Sequence, residues 1–253
     1  MPKKEDYRYT EDSRFYSIGE GRHYVGVTSI LSKVGVSNPF LENWKMEQAS
    51  QVGELGQRVN LVMAQIRGTN VHGAIAQYNI ISKDGLLDGS IKWRGERSFS
   101  DDEWTRVVTY DRWFKERKPE ILETEFTESA TRVVSHKYKY AGTVDCLMKI
   151  DGKVYIVDFK TGKDIYDKNK LQAAAYVQAW TETYPDIPVD GAMMLALATR
   201  TKRKWKEVFL VGKDLNYYWE GFKIHLDMYH WDNKGTVDSP SRELLPTSVS
   251  PND

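Results

Sequence analysis

The chain has 253 residues, with 36 basic and 36 acidic side chains and a formal net charge of zero. This length suits one large domain with a substantial core. Because the charges cancel, a charged partner must be met by a local patch rather than by the field of the whole molecule. The single cysteine, Cys146, excludes an internal disulfide framework and any metal site bound by four cysteines within one chain.

The N-terminal residues, MPKKEDYRYTEDSR, mix acids with bases and lack the apolar run of a signal peptide. No window approaches the roughly 20 consecutive apolar residues that span a bilayer. We therefore expect a soluble, intracellular protein of the cytoplasm that has no membrane partner. A reducing compartment fits the lone cysteine.

The N-terminal half of the chain is predicted to be mainly helical. Residues 1–36 read as a strand/helix segment, and residues 37–118 read as a helical region in which Gly68 marks a break between two helices. Within that region, residues 81–103 are polar and rich in glycine and serine. They are predicted to form an excursion from the helices.

The C-terminal half is predicted to form the core, over residues 119–232, followed by a flexible tail over 233–253. Strands are expected from 121 to about 160, then a helix over 169–184, two further strands and a closing amphipathic helix. Strands before and after a helix, flanked by other helices, indicate an α/β domain with a mixed central sheet.

The stretch GTVDCLMKIDGKVYIVDFKTG, residues 142–162, predicts a β-hairpin. Asp151-Gly152 is a preferred pair for a two-residue type I′ turn, and it lies between two apolar runs of matching length. With this turn as the loop, the register makes Asp145 and Asp158 neighbours across the two strands.

The alternation of side chains divides this hairpin into an apolar and a charged face. Lys160 shares the charged face with Asp145 and Asp158, and like charges opposed at about 4.5–5.5 Å destabilise a sheet unless positive charge lies between them. A divalent ion resolves that conflict, and oxygen ligands suit Mg²⁺ or Mn²⁺. The alternative is an exposed ion pair at the end of a sheet. The apolar face, fit for a core, comprises Val144, Cys146, Met148, Ile150, Tyr155, Val157 and Phe159.

Five short motifs follow one another between residues 68 and 180. They are GTNVH, ending in His72; ETEFTE; AGTVD, ending in Asp145; DFKTG, with Asp158 and Lys160; and QAAAY, with Gln172 and Tyr176. Their order and spacing resemble the PD-(D/E)XK nuclease superfamily, specifically its RecB-like exonuclease branch, which includes phage exonucleases and the mitochondrial genome maintenance exonuclease. The resemblance implies a restriction-endonuclease-like core with a mixed central β-sheet flanked by helices, plus an N-terminal helical region.

The resemblance also implies a set of metal ligands for one or two Mg²⁺ or Mn²⁺ ions. The acidic ligand from ETEFTE is expected to be Glu128, with Glu125 as the alternative, and the other ligands are His72, Asp145, Asp158 and the backbone carbonyl of Phe159. The alternative for His72 is a capping or surface residue in the first turn of a helix. No iron–sulfur cluster is expected, because several RecB-like nucleases bind one through four cysteines and this chain has only Cys146.

Two groups of residues are predicted to contact DNA. Gln172 and Tyr176 lie four apart on one helix face, and the resemblance implies that they touch DNA or support the site. The segment TRTKRKWK, residues 199–206, places five basic residues around Trp205 in a predicted hairpin tip. Its alternative interpretation is a solvated loop, and its candidates for phosphate contacts are Arg200, Lys202, Arg203 and Lys204.

These features together predict a metal-dependent DNA nuclease, with Asp145, Asp158 and Lys160 as the catalytic residues. The resemblance favours an exonuclease acting on single strands or DNA ends, with a place in DNA repair or recombination in a bacterial or phage-infected cell. One alternative is a catalytically silent module that binds DNA and recruits partners, against which the three intact residues argue. The other is a structure-specific endonuclease on the same fold.

Overall fold

The structure, a computed structural model, describes residues 8–10, 15–18, 22–33, 39–83, 99–125, 131–198 and 200–233. Most of the excursion predicted over 81–103, and all but the first residue of the tail predicted over 233–253, lie outside these ranges. No helix within them is long and apolar enough to cross a membrane.

In chain order the elements are β1 (Arg8–Thr10), β2 (Phe15–Ser17), β3 (His23–Gly26), α1 (Val27–Lys33), α2 (Pro39–Lys83), α3 (Asp101–Arg117), β4 (Glu120–Thr124), β5 (Arg132–Ser135), β6 (Tyr140–Thr143), β7 (Cys146–Ile150), β8 (Lys153–Lys160), α4 (Asp167–Thr183), β9 (Gly191–Ala196), β10 (Lys206–Leu210) and α5 (Gly212–Asp232).

The strands form two five-stranded sheets. The central sheet has the order β10-β9-β8-β7-β4, in which β8 and β9 are parallel and the other neighbours are antiparallel. The predicted mixed central sheet is therefore confirmed. The second sheet has the order β1-β2-β3-β6-β5, and it takes β5 and β6 from the region that the sequence assigns to one strand-rich core.

Both faces of the central sheet are covered by helices, and its three inner strands are accordingly rich in buried apolar residues. One face packs against α2 and α3, where Phe159 of β8 meets Tyr110 and Trp113 of α3 in one buried cluster. The other face packs against α4 and α5, with Ile156 of β8 beside Trp180 of α4. This arrangement confirms the α/β class and a restriction-endonuclease-like core.

The β7–β8 hairpin has the register that the sequence predicts. Leu147 pairs with Ile156 and the ladder ends at Cys146 opposite Val157. Asp151 and Gly152 have φ values of 51° and 81°, as a type I′ turn requires. Asp145 therefore lies one residue beyond the last regular pair, at the end of the hairpin opposite to the turn.

The prediction that Val144 shares the core face of Cys146 is wrong. Val144 belongs to the buried cluster on the α4 side, whereas Cys146 belongs to the cluster on the α2 and α3 side. The reason is that the chain leaves the hairpin ladder here and crosses to the second sheet, and the Val144 amide donates to the carbonyl of Thr131 at 2.8 Å. Alternation holds only while a strand stays in one ladder.

The break predicted at Gly68 is also wrong, because α2 continues through it and has its non-helical residue at Gly53, with φ 72° and ψ 173°. The polar residues that suggested a helix end are satisfied within the helical structure. Thr69 Oγ1 donates to the carbonyl of Gln65 at 3.3 Å. The Asn70 amide donates to a carboxylate oxygen of α3 at 2.8 Å.

Alanine substitutions at these two glycines are expected to change stability in opposite directions. Gly68→Ala should raise the free energy of unfolding by about 0.5–1 kcal/mol, because alanine is the better helix former, and its Cβ would meet only Thr161 Oγ1 at 3.8 Å. Gly53→Ala should lower it by about 1–3 kcal/mol, since its backbone region is almost exclusive to glycine. Denaturant titration of both variants measures the two effects, and the same sign for both would contradict the position of the kink.

Candidate active site

The site is built around the C-terminal end of β8. This strand lies between β7 and β9 in the centre of the sheet, and its last pairs join Asp158 to Met194 and Lys160 to Ala196. Alternation turns the Phe159 side chain into the core and places Asp158 and Lys160 on the opposite face. A buried strand thus ends in two charged side chains.

Asp158 and Lys160 form a close ion pair. The Lys160 ammonium donates to Asp158 Oδ1 at 3.0 Å and lies 2.7 Å from Oδ2. The Asp158 side chain is only 5% exposed. The same ammonium donates to Gln172 Oε1 of α4 at 3.0 Å, and the Gln172 amide donates to the Tyr176 hydroxyl at 2.9 Å.

A second group of ligand-type side chains gathers beside this pair. His72 comes from α2, Glu125 directly follows β4, and Asp145 directly precedes β7. One potential ligand atom from each lies within 4.8 Å of the others. Asp145 Oδ1 is 3.3 Å from His72 Nδ1, and Oδ2 accepts from the amide of Phe159 at 2.8 Å. The Asp145 carbonyl accepts from the amide of Glu125 at 2.8 Å, which joins the two acidic segments.

The protonation of this site reflects an excess of buried carboxylates. Burial and the charge of Asp145 raise the pKa of Glu125 to about 7. Burial works against a charged His72, but the charge and hydrogen bond of Asp145 outweigh it and raise the pKa of His72 to about 9. Burial also opposes the charged form of Asp145, yet His72 holds its pKa below the usual value.

The pKa of Asp158 is shifted upward, opposite to that of Asp145. Burial raises the pKa of Asp158 more than the Lys160 ammonium lowers it, and the charge of Asp145 adds to the rise. Near neutral pH the protein alone therefore compensates its clustered acids with a proton on His72 and, in about half of the molecules, a proton on Glu125. A bound cation would take over that compensation.

The residues present fit a divalent metal ion. The donors are one imidazole nitrogen and several carboxylate oxygens, a set that suits Mg²⁺ or Mn²⁺. Asp158 is buried beside them, and its two carboxylate oxygens lie 3.0 and 2.7 Å from the Lys160 ammonium. Asp158 is outside the three-residue group of His72, Glu125 and Asp145, but its charge acts on Asp145 and His72.

The structure treats the remaining predicted ligands differently. Glu128, the first choice from the sequence, lies outside the described residues, whereas the alternative, Glu125, lies in the cluster. Phe159 stands between the two charged residues of β8, and its ring meets the His72 ring edge-on at 6.1 Å between centroids. Its backbone carbonyl stays a predicted ligand.

The two groups predicted to contact DNA differ in exposure. Tyr176 is only 5% exposed, whereas Gln172 is half-buried and bonds Lys160. The segment between β9 and the basic tip starts beside the site, because the amide of Leu197 donates to the carbonyl of Lys160 at 2.9 Å. The four residues of the tip singled out from the sequence are all exposed: Arg200, Lys202, Arg203 and Lys204.

One residue of the site is missing from the sequence predictions. Arg106 of α3 is 8% exposed, and its Nε donates at 2.9 Å to the carbonyl of Thr161, the residue after Lys160. It also pairs with Asp102, which anchors its guanidinium. An arginine on an amphipathic helix reads as a surface residue, so no local pattern identifies this contact.

Taken together, an Asp-x-Lys pair at the end of a central strand, beside a group of acids and a helical histidine, defines the class of metal-dependent nucleases. The family model of the PD-(D/E)XK nuclease superfamily matches residues 43–228, well over half of the chain. The chain therefore belongs to the PD-(D/E)XK nuclease superfamily, and DNA is the substrate that membership implies. Among curated proteins, none matches this chain. The RecB-like branch within the superfamily stays a prediction.

Metal binding is expected to strengthen with pH. Glu125, with a pKa of about 7, and His72, with a pKa of about 9, must both lose their protons before they can bind an ion. Each ion of Mn²⁺ should therefore release about two protons at pH 6 and about one at pH 8. Calorimetric titration in buffers of different ionisation enthalpy counts these protons.

Matched glutamine variants assign the acidic ligand. Glu125→Gln should weaken Mn²⁺ binding and reduce the release at pH 6 to about one proton, whereas Glu128→Gln should leave both unchanged. Weaker binding by Glu128→Gln alone would give the ligand role to Glu128. Binding with no proton release at either pH would contradict the protonation described for the site.

Proposed function

We propose that this chain is a divalent-metal-dependent exodeoxyribonuclease that acts on single strands or DNA ends. The observation that carries the proposal is the convergence of His72, Glu125 and Asp145 beside the Asp158–Lys160 pair. The histidine supports an exonuclease, because it belongs to the helical motif through which the sequence resembles the RecB-like branch. A fold that brings a distant helix to an acidic strand end makes that motif part of one site.

In this proposal His72, Glu125, Asp145 and Asp158 hold one or two ions of Mg²⁺ or Mn²⁺. The bound ion supplies Lewis-acid stabilisation of charge on the phosphate and lowers the pKa of a coordinated water. The chain itself supplies the position of these ligands. The amide of Phe159 holds one oxygen of Asp145 at 2.8 Å and leaves the other toward His72.

Lys160 is proposed to act on the phosphate or on the attacking water. Its ammonium carries three donors, and the described structure directs one to Asp158 and one to Gln172. The third donor is then aimed by the first two. A fixed positive charge at the mouth of a buried site stabilises the charge that develops on a phosphate during hydrolysis.

Incubation of the purified protein with end-labelled linear DNA and with closed single-stranded circles, in Mg²⁺ or Mn²⁺, tests the proposal. The linear DNA should be degraded and the circles should stay intact. Asp158→Asn, which keeps the side-chain shape and removes the charge, should lower the rate by at least about 100-fold. Asp186→Asn is the matched control, because the same change is made on an exposed loop between α4 and β9, at the end of the strands opposite to the site.

Each alternative gives a different result in this assay. Cleavage of the circles identifies an endonuclease on the same fold. Binding of DNA without products from the wild-type protein identifies a catalytically silent module. Cleavage by Asp158→Asn at the rate of the wild type removes the assigned site from the proposal.

We also propose that the basic tip, residues 200–204, contacts the phosphate backbone of the bound strand. The segment that leads into the tip begins beside Lys160, where the amide of Leu197 donates to the Lys160 carbonyl, and this supports the role. Arg203 lies 3.3 Å from Glu116 of α3 and over the Trp205 ring. Lys202 and Lys204 are exposed on the same turn.

The contribution of the tip is measured by the salt dependence of DNA binding. The double variant Lys202→Ala/Lys204→Ala should reduce the slope of log K against log salt by about 0.7 for each phosphate of single-stranded DNA that the tip no longer neutralises. The control variant Lys153→Ala/Lys213→Ala removes the same charge at the end of the strands opposite to the site. It should leave the slope unchanged. Equal slopes for the wild type and the tip variant would make the tip a solvated loop.

A further inference from the structure

A line of contacts connects the proposed catalytic lysine to the second sheet. Lys160 donates to Gln172 Oε1 at 3.0 Å, and the Gln172 amide donates to the Tyr176 hydroxyl at 2.9 Å. The Tyr176 ring then lies against Gly142 of β6. Tyr176 is 5% exposed and Gly142 is buried, so this line runs from the half-buried Lys160 and Gln172 into the interior of the protein.

The tyrosine hydroxyl fixes the orientation of the glutamine. A glutamine side chain presents an acceptor on one side and a donor on the other, and only its acceptor can meet the ammonium of Lys160. The Tyr176 hydroxyl accepts from the amide nitrogen, which keeps the Oε1 atom turned toward the lysine. Loss of that hydroxyl leaves the amide held from one side only.

The space for the tyrosine ring exists because residue 142 has no side chain. A Cβ added at Gly142 would overlap Tyr176 Cε1 and would lie 3.1 Å from Cδ1. The ring cannot yield easily, because Tyr176 is carried by α4 within the main buried cluster. Gly142 is likewise held in place, since β6 pairs it with Val133 of β5. An alanine at this position must therefore push the ring, and with it the glutamine.

We infer that Gly142 is a positioning residue that sets the Lys160 ammonium through Tyr176 and Gln172. The inference rests on the proposed function, because it assigns the lysine a catalytic position. It gives the second sheet a part in the reaction, although none of its strands carries a residue of the ligand group. It also assigns Tyr176 to the support of the site instead of to DNA.

Two single variants test the inference through the separation of turnover from binding. In single-turnover cleavage with Mn²⁺, Gly142→Ala should lower the maximal rate about 100-fold, the scale of a shift of about 1 Å in a reacting group. Tyr176→Phe, which keeps the ring, should lower it about tenfold. The DNA concentration at half-maximal rate should stay within about twofold for both variants, because no DNA contact is removed.

Two controls separate this effect from a general loss of structure. Mn²⁺ affinity should be unchanged in Tyr176→Phe, because this variant keeps the ring in place and alters no side chain that is proposed to hold the ion. Gly68→Ala, a glycine substitution with room for the methyl group, should cleave at the wild-type rate. In a Tyr176→Ala background, Gly142→Ala should cause no further loss, since the ring that it displaces is gone.

The possible outcomes are distinct. A wild-type protein that cleaves, with full turnover in Tyr176→Phe, overturns the inference and leaves the proposed function standing. A raised half-saturating DNA concentration at unchanged maximal rate would make Tyr176 a DNA contact. Additive losses from Gly142→Ala and Tyr176→Ala would show that the glycine acts by another route. If Gly142→Ala does not fold, the turnover of Tyr176→Phe alone tests the inference. A wild-type protein that cleaves no DNA refutes the proposed function, on which the inference rests.

Discussion

The burial of charge at the end of a central strand is the constraint on which the rest of this structure depends. Asp158 is almost completely buried beside Lys160, and a buried ion pair is stable only when further contacts satisfy its remaining atoms. Gln172 of α4 supplies one such contact. The nearby carboxylate of Asp145 adds repulsion, which the imidazole of α2 offsets. The positions of both helices against the sheet are therefore tied to these few atoms.

The features that follow from local sequence were predictable. Asp151-Gly152 specifies the turn and hence the whole register of the hairpin, because both residues adopt the positive φ values that such turns need. Long apolar strands around a helix likewise indicate a mixed sheet. The pairing of the N-terminal strands with β6 was not predictable in this way, since these strands are only three or four residues long and are far from β6 in the sequence. Pairing over such a distance leaves no local pattern.

In the candidate site, too, some positions follow from local sequence and others depend on distant parts of the chain. The places of Asp158 and Lys160 follow from their position in one hairpin, whereas the place of His72 came from resemblance, because nothing in its local sequence points to Asp145. The choice between the upstream glutamates depends on the path of the chain after β4, which composition does not determine. Gly68 shows the converse error: its helix continues because contacts from another helix satisfy the neighbouring polar residue. Tertiary contacts override local preference in each case.

The chain passes from one sheet to the other three times, and the last two passages, after β4 and after β6, each carry an acid of the ligand group. Glu125 directly follows β4 on the way to β5, and Asp145 lies between β6 and β7. A backbone hydrogen bond of 2.8 Å ties the two junctions together. The backbone that sets the spacing of these two carboxylates therefore belongs to both sheets and not to the central sheet alone.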